Sequence, residues 1–269
     1  MAGVETKISE ITSLEALSGG SSAVHRLHPR VKFFTVIIFI LVVISFGRHS
    51  AARLAPFFLF ITVAALAAEL PLALPARRSL VALPFCLFAG VASLWYEPAV
   101  AFHLFSYPVT EGLLSLITLS AKAMLTVAAV SVFVAVTPFT ELSRELRRLG
   151  FPTLFVTLLE LLYRYTGVLT EQTMIRAHAM ALRGGSAGGL TLSEMGPLLG
   201  QLMLSSSERA GRLSDAMRCR GWDGTEEKAE RMPLSSRDSM QLLALTALLL
   251  LFRAADIPAL LVQFAGGVL

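Results

Sequence analysis

The chain has 269 residues, of which 55% are hydrophobic and 16% charged, and its formal net charge is +4. A soluble domain typically carries about 25% charged residues, so this composition excludes an ordinary soluble protein and predicts an all-α chain that crosses a bilayer several times. The modest positive charge comes without aromatics interleaved along a basic stripe. It therefore excludes a nucleic-acid surface and fits Lys and Arg facing anionic lipid.

The first residues, with Glu5, Lys7, Glu10 and Glu15, lack the basic-then-apolar order of a cleavable signal, so the first apolar run is expected to be retained. Five runs come close to the roughly 20 residues that a spanning helix needs, at 31–46, 54–70, 79–96, 112–136 and 240–257. Lys32 at the inner end of the first is expected to snorkel toward water. Pro56 and Pro84 are expected inside spans, where a bundle can tolerate them. Arg26, Arg30 and Lys32 precede the first run, Arg77 and Arg78 separate the second from the third, and Arg144, Arg147 and Arg148 follow the fourth. The loop between the third and fourth runs has Glu97 and Glu111 but no basic residue. Arg48 and Arg53 dissent, yet the balance places the N-terminus inside and the C-terminus outside.

This divides the chain into a cytoplasmic N-terminal segment (1–30), four spans (31–137), a polar cytoplasmic region (138–237) and a C-terminal span (238–269). The polar region holds more than half of the chain's 23 basic and 19 acidic residues. It reads as helices lying along the inner face. Thr137-Pro138 opens a short one through Arg148, and Gly150-Phe151-Pro152 breaks it. A long helix follows to Arg183, with Leu154, Leu158, Leu161, Leu162, Tyr165 and Leu169 at helical spacing. Glu160 and Arg164 argue against a sixth span, since each mid-membrane charge costs about 2.5–3.5 kcal/mol. Thr191-x-x-Glu194 resembles a capping box opening a further helix to Arg220, although Gly196-Pro197 blurs its start.

Both of these helices end in the same signature. Ala179-Met180-Ala181-Leu182-Arg183-Gly184 and Ala216-Met217-Arg218-Cys219-Arg220-Gly221 share Ala, Met, Arg and Gly, and each has a Glu (Glu171, Glu208) twelve positions before its Arg. Ala and Met lie four and three residues before the Arg, on one helix face. Ala permits close approach, Met adapts to a groove, Arg offers a fixed fork of donors, and Gly can end the helix in the left-handed conformation. An Arg in a last turn also suits the helix dipole, with Gly as an ordinary cap. Two copies matching at five positions favour a pair of cationic docking tips.

At these residues the chain resembles the transmembrane T component of energy-coupling factor (ECF) transporters, in the cobalt/nickel CbiQ-type branch. The family's two x-Arg-x signatures are matched by Leu182-Arg183-Gly184 and Cys219-Arg220-Gly221, where Leu182 and Cys219 replace the commoner Ala. Leu27-His28-Pro29-Arg30-Val31-Lys32 resembles the start of the family's first span, with His28 where Asp is usual. Thr137-Pro138 through Leu149-Gly150-Phe151-Pro152 resembles its exit from the fourth. Tyr163-Arg164-Tyr165, Ser207-Glu208-Arg209-Ala210 and Arg220-Gly221-Trp222-Asp223-Gly224 look like the metal-transport branch. The resemblance implies a non-catalytic coupling subunit in the cytoplasmic (inner) membrane of a bacterium or archaeon. Its partners would be two ABC-type ATPases, which bind the ATP, and a CbiM-like substrate-binding membrane subunit with a small CbiN-like one. ATPase docking would fall to Ala179, Met180, Leu182, Arg183, Gly184, Ala216, Met217, Cys219, Arg220 and Gly221. The cargo implied is cobalt, with nickel or a vitamin as alternatives, and its site would lie on another chain.

Other residues carry less. Lys122 sits inside the fourth run, as a functional candidate or a structural pairing within the bundle. His25 and His28 are three apart, without a third ligand beside them, and no metal or cofactor is assigned to this chain. No Gly-Lys pair exists, which excludes a phosphate loop. Cys86 and Cys219 form no Cys-x-x-Cys and are not expected to pair. A lipid-acting membrane enzyme would need convergent His, Asp, Glu or Ser groups at the interface. A self-sufficient carrier would need charge-lined broken spans, and Lys122 alone supports it.

Overall fold

A computed structural model of the chain describes residues 19–20, 22–47, 50–96, 100–104, 107–184, 192–222 and 236–254. The elements are α1 (Pro29–Ile44), a 3-10 turn (Ala51–Leu54), α2 (Ala55–Ala67), α3 (Ala73–Leu80), α4 (Leu83–Tyr96), β1 (Val100–Leu104), β2 (Tyr107–Thr110), α5 (Glu111–Val136), α6 (Phe139–Arg148), α7 (Thr153–Gly184), α8 (Leu192–Cys219) and α9 (Ser236–Ala254). Among the described residues α6 to α8 form one compact unit and the other elements form a second.

The second unit is an apolar helical bundle. Ala73–Val91 and Glu111–Val136 are long and apolar enough to cross a membrane. At 16 and 13 residues, α1 and α2 fall short of a full crossing. The 79–96 run is not one helix: α3 and α4 meet at a turn where the amides of Val81 and Ala82 donate to Arg78 and Ser79. Neither proline sits in a helix interior. Pro56 opens α2 and Pro84 opens α4, in first turns whose amides have no intrahelical acceptor to lose. Nor is the connection before α5 wholly irregular, because β1 and β2 pair antiparallel there, with His103 opposite Pro108.

The ends of these helices explain their lengths. At the start of α1, Pro29 takes the first turn and His28 Nδ1 accepts from the Arg30 amide at 3.2 Å, the acceptor role an Asp would fill. At the end of α2, Glu69 adopts φ 56°, and the amides of Leu70 and Glu69 donate to Ala65 and Leu66. That closure is a Schellman motif, here with Glu where Gly is usual. Between α4 and α5, buried Gly90 lets the backbones approach, since an added Cβ would lie 2.8 Å from Leu116 Cγ.

An aromatic cluster fills the core. Phe57 is fully buried, with Phe39, Phe46 and Phe252 rings at 5.7, 5.4 and 6.2 Å, so α1, α2 and α9 share one apolar contact.

Around this core the charged side chains cap helix ends. Lys32 does not snorkel. It is buried in α1, and its Nζ donates to Val136 O, the last carbonyl of α5, at 3.1 Å and to His25 O at 2.9 Å. In return Lys122 of α5 donates to Ile44 O at 3.2 Å and Phe46 O at 2.6 Å, at the end of α1. Arg253 of α9 donates to Ser45 O at 3.2 Å and lies 4.4 Å from the Phe46 ring centroid. Helix-end carbonyls carry a partial negative charge and lack intrahelical donors, so cations suit them twice over.

Removing Lys122 (Lys122→Met) is expected to destabilise the bundle by about 1–3 kcal/mol, the cost of helix-end carbonyls left without their donor. Arg253→Met should cost less, because Lys122 still serves the same helix end. The double variant should lose more than the sum, as read from thermal unfolding in detergent.

Candidate functional site: two arginine-tipped helix ends

The unit formed by α6, α7 and α8 begins with a locked corner. Glu160 of α7 accepts from Ser143 Oγ at 2.6 Å and pairs with Arg147 at 2.5 Å, both on α6. Arg148 pairs with buried Glu145 at 2.5 Å on α6 itself. One turn beyond Glu160, Tyr163 stacks on Phe139 at 4.4 Å. The mid-run charge that argued against a span thus has a positive job, holding α6 against α7. Gly150, at φ 91°, closes α6 with the amides of Phe151 and Gly150 donating to Leu146 and Arg147.

Farther along, Arg176 of α7 donates to Ser205 Oγ of α8 at 3.0 Å. This contact lies two turns before Arg183 and ties the two long helices together. Thr191, half of the predicted capping box, lies outside the described residues, as does the Glu194 side chain. The helix nevertheless begins at Leu192 and runs through Pro197.

The two signatures end their helices differently. The first stays helical through Arg183 to Gly184, with Ala179 and Leu182 exposed; the side chains of Met180 and Arg183 lie outside the described residues. In the second the helix stops at Cys219, Arg220 is the flanking residue, and Gly221 takes φ 84°. The amides of Arg220 and Trp222 both donate to Met217 O, and that of Gly221 donates to Arg218 O. This is a Schellman closure with glycine at its left-handed position. Ala216, Cys219 and Arg220 are exposed, Met217 is half-buried, and Arg220 makes no ion pair among the described residues. Glu208, upstream, faces Arg212 at 3.8 Å on the open surface. Such a pair contributes at most about 1 kcal/mol and leaves Arg220 to other partners.

The remaining candidates sit elsewhere. Lys122 lies in the bundle, at the end of α1, as described above. His25 Nδ1 is 2.7 Å from Ser22 Oγ and His28 Nδ1 holds the Arg30 amide, so each ring commits a nitrogen to its own turn. Among the described residues no three His, Cys, Asp or Glu side chains gather as metal ligands. Sequence reasoning missed Arg253, although a lone cation in the last apolar run was the signal for it. It also missed the Phe139–Tyr163 stack and the Arg176–Ser205 tie, for which spacing along the chain gives no signal.

The family model described as CbiQ, cobalt transport protein, matches residues 20–231. No curated protein matches the chain.

Two glycines of α8 test the tip. Gly221→Ala forces a Cβ into φ 84° and is expected to cost about 1–2 kcal/mol at that end. Gly211→Ala, in open space within the helix, should gain about 0.5–1 kcal/mol. Amide hydrogen exchange along α8 should read the opposite signs, with faster exchange near Cys219 in the first variant only.

Proposed function

The chain belongs to the CbiQ cobalt transport protein family, and on that premise we propose that it is the membrane-embedded coupling subunit of an ATP-driven cobalt importer. In this reading five spans cross the membrane, the N-terminus lies inside and the C-terminus outside, and 138–237 is the cytoplasmic coupling region. Arg183 and Arg220 each dock one ABC-type ATPase. A separate CbiM-like membrane subunit, with its small CbiN-like companion, holds the metal ion. The chain itself performs no chemical step.

The observation that carries this reading is the end of α8. Arg220 is exposed, without an ion pair among the described residues, on a helix end closed by Gly221. A guanidinium held so presents its donor fork to a carboxylate in a partner's groove, with Met217 and Ala216 beside it as apolar contacts. The length of the helices supports transmission of force. At 1.5 Å per residue, the 32 residues of α7 and 28 of α8 make levers of roughly 48 and 42 Å. The Arg176–Ser205 hydrogen bond joins them short of their tips. ATP-driven closure of the ATPases displaces the two tips relative to each other, and stiff helices carry that displacement to the substrate subunit.

Arg183→Glu and Arg220→Glu together are expected to abolish co-purification of the ATPases and to lower ATP-dependent cobalt uptake at least tenfold. Each single change should give an intermediate loss. Because Arg220 is exposed, the thermal midpoint of the isolated Arg220→Glu chain should fall only slightly, through the lost favourable charge at the helix end. Normal uptake with normal ATPase association in the double variant refutes the proposed docking.

A further inference from the structure

Between α1, α2, α5 and α9 lies a cavity of about 340 Å³. Its volume falls at the lower end of the range for small-molecule sites. Its walls are almost wholly apolar, from Val31, Phe39, Phe60, Val132 and Leu245 among others. The exceptions gather at one end. Lys32, Thr35 and Thr137 line the cavity where α1 starts and α5 stops, whereas Phe39, Phe60 and Ile61 line it farther along.

Two of those polar groups lack partners. The hydroxyls of Thr35 and Thr137 are buried and make no hydrogen bond among the described residues, and Thr137 is only 7% exposed. Thr35 is helical and does not bond the carbonyl one turn back, as Thr118, Thr157 and Thr246 do in this chain, while Thr137 lies just past the end of α5. Leaving two hydroxyls unpaired at the same wall is costly unless something else bonds them. The cavity also opens at the bundle surface, since Val63 of α2 and Leu248 of α9 line it and are themselves exposed. In a membrane protein that surface meets lipid.

We propose that this cavity binds one acyl chain of a bilayer glycerophospholipid, which enters between α2 and α9. Its tail runs toward Phe39 and Phe60, and its ester oxygens accept from Thr35 and Thr137. The polarity of the cavity matches an amphiphile in one direction only, polar at the Lys32 end and dry at the other. A sealed apolar void would need no hydroxyls. A water between the two hydroxyls would occupy only the polar end and leave the apolar length of the cavity empty.

The test uses the full chain in detergent, stripped of lipid, with palmitoyl-oleoyl phosphatidylglycerol as the added probe. Native mass spectrometry should show one lipid retained by the wild type after annular lipid is removed, and the added lipid should raise its thermal midpoint. Ala64→Phe, which fills the cavity from α2, should reduce retention at least tenfold. If that variant fails to fold, the isosteric pair Thr35→Val and Thr137→Val keeps the shape. It should lower retention at least threefold and shrink the lipid-induced thermal shift. No lipid retained by the wild type overturns the proposal, as expected if a segment outside the described residues fills the space. Equal retention in the wild type and in both the filled and the isosteric variants also overturns it.

Discussion

A helix that stops inside a bilayer leaves carbonyl groups that neither its own amides nor water can satisfy. α1 is such a helix. Its 16 residues span roughly 24 Å, less than the hydrocarbon thickness of about 30 Å. The carbonyls of Ile44, Ser45 and Phe46 are bonded by Lys122 and Arg253, and the carbonyl that ends α5 is bonded by Lys32. α1 and α5 run antiparallel, and each lends a lysine to the other's C-terminal end. That reciprocity fixes their register. It also places Phe46 where Phe57 can pack on it from α2, and Arg253 over it from α9. The apolar core then adds area to an arrangement that the caps have already aligned.

The unit of α6 to α8 solves a different problem with similar chemistry. Its helices are charged, so its joints are made of side chains that face each other, such as Glu160 against Ser143 and Arg147. Its helix ends close on their own backbones, through Gly150 and Gly221. In the apolar bundle, neighbours supply donors to the ends of α1 and α5, while α2 closes on its own backbone at Glu69. A helix end that closes on its own backbone keeps its side chains for others. Arg220 is available for that reason.

Much of this was legible in the residues, and the part that was not has one physical cause. Glycine and proline act locally, so the break at Gly150-Phe151-Pro152 and the left-handed Gly221 could be read from the chain. Hydropathy located the apolar runs but misjudged their inner punctuation. Pro56 and Pro84 look the same in a window average whether they interrupt a helix or open one. Lys32, Lys122 and Arg253 were visible as charges in apolar surroundings, but not as caps. Their acceptors are backbone carbonyls far along the chain, and a carbonyl carries no sequence signature. The Phe139–Tyr163 stack was hidden for a related reason, since its partners lie 24 residues apart on different helices. The chemistry of the two tips was plain in the repeat, and their backbone paths were not.

Those paths differ in a way that bears on how a partner reads the tips. Arg183 lies within a helix that continues to Gly184, whereas Arg220 flanks a helix that has ended at Cys219. On the proposed function, two like ATPases would present like sockets to two tips whose backbones differ. A socket that measured the backbone would accept one tip and reject the other. What the tips share is a guanidinium with Ala and Met a turn before it. Arg is long, and its donor fork tolerates a change in where its stem begins. Met reshapes easily against a groove. On the proposed function, the conserved chemistry of the repeat is what lets two unequal helix ends serve two equivalent partners.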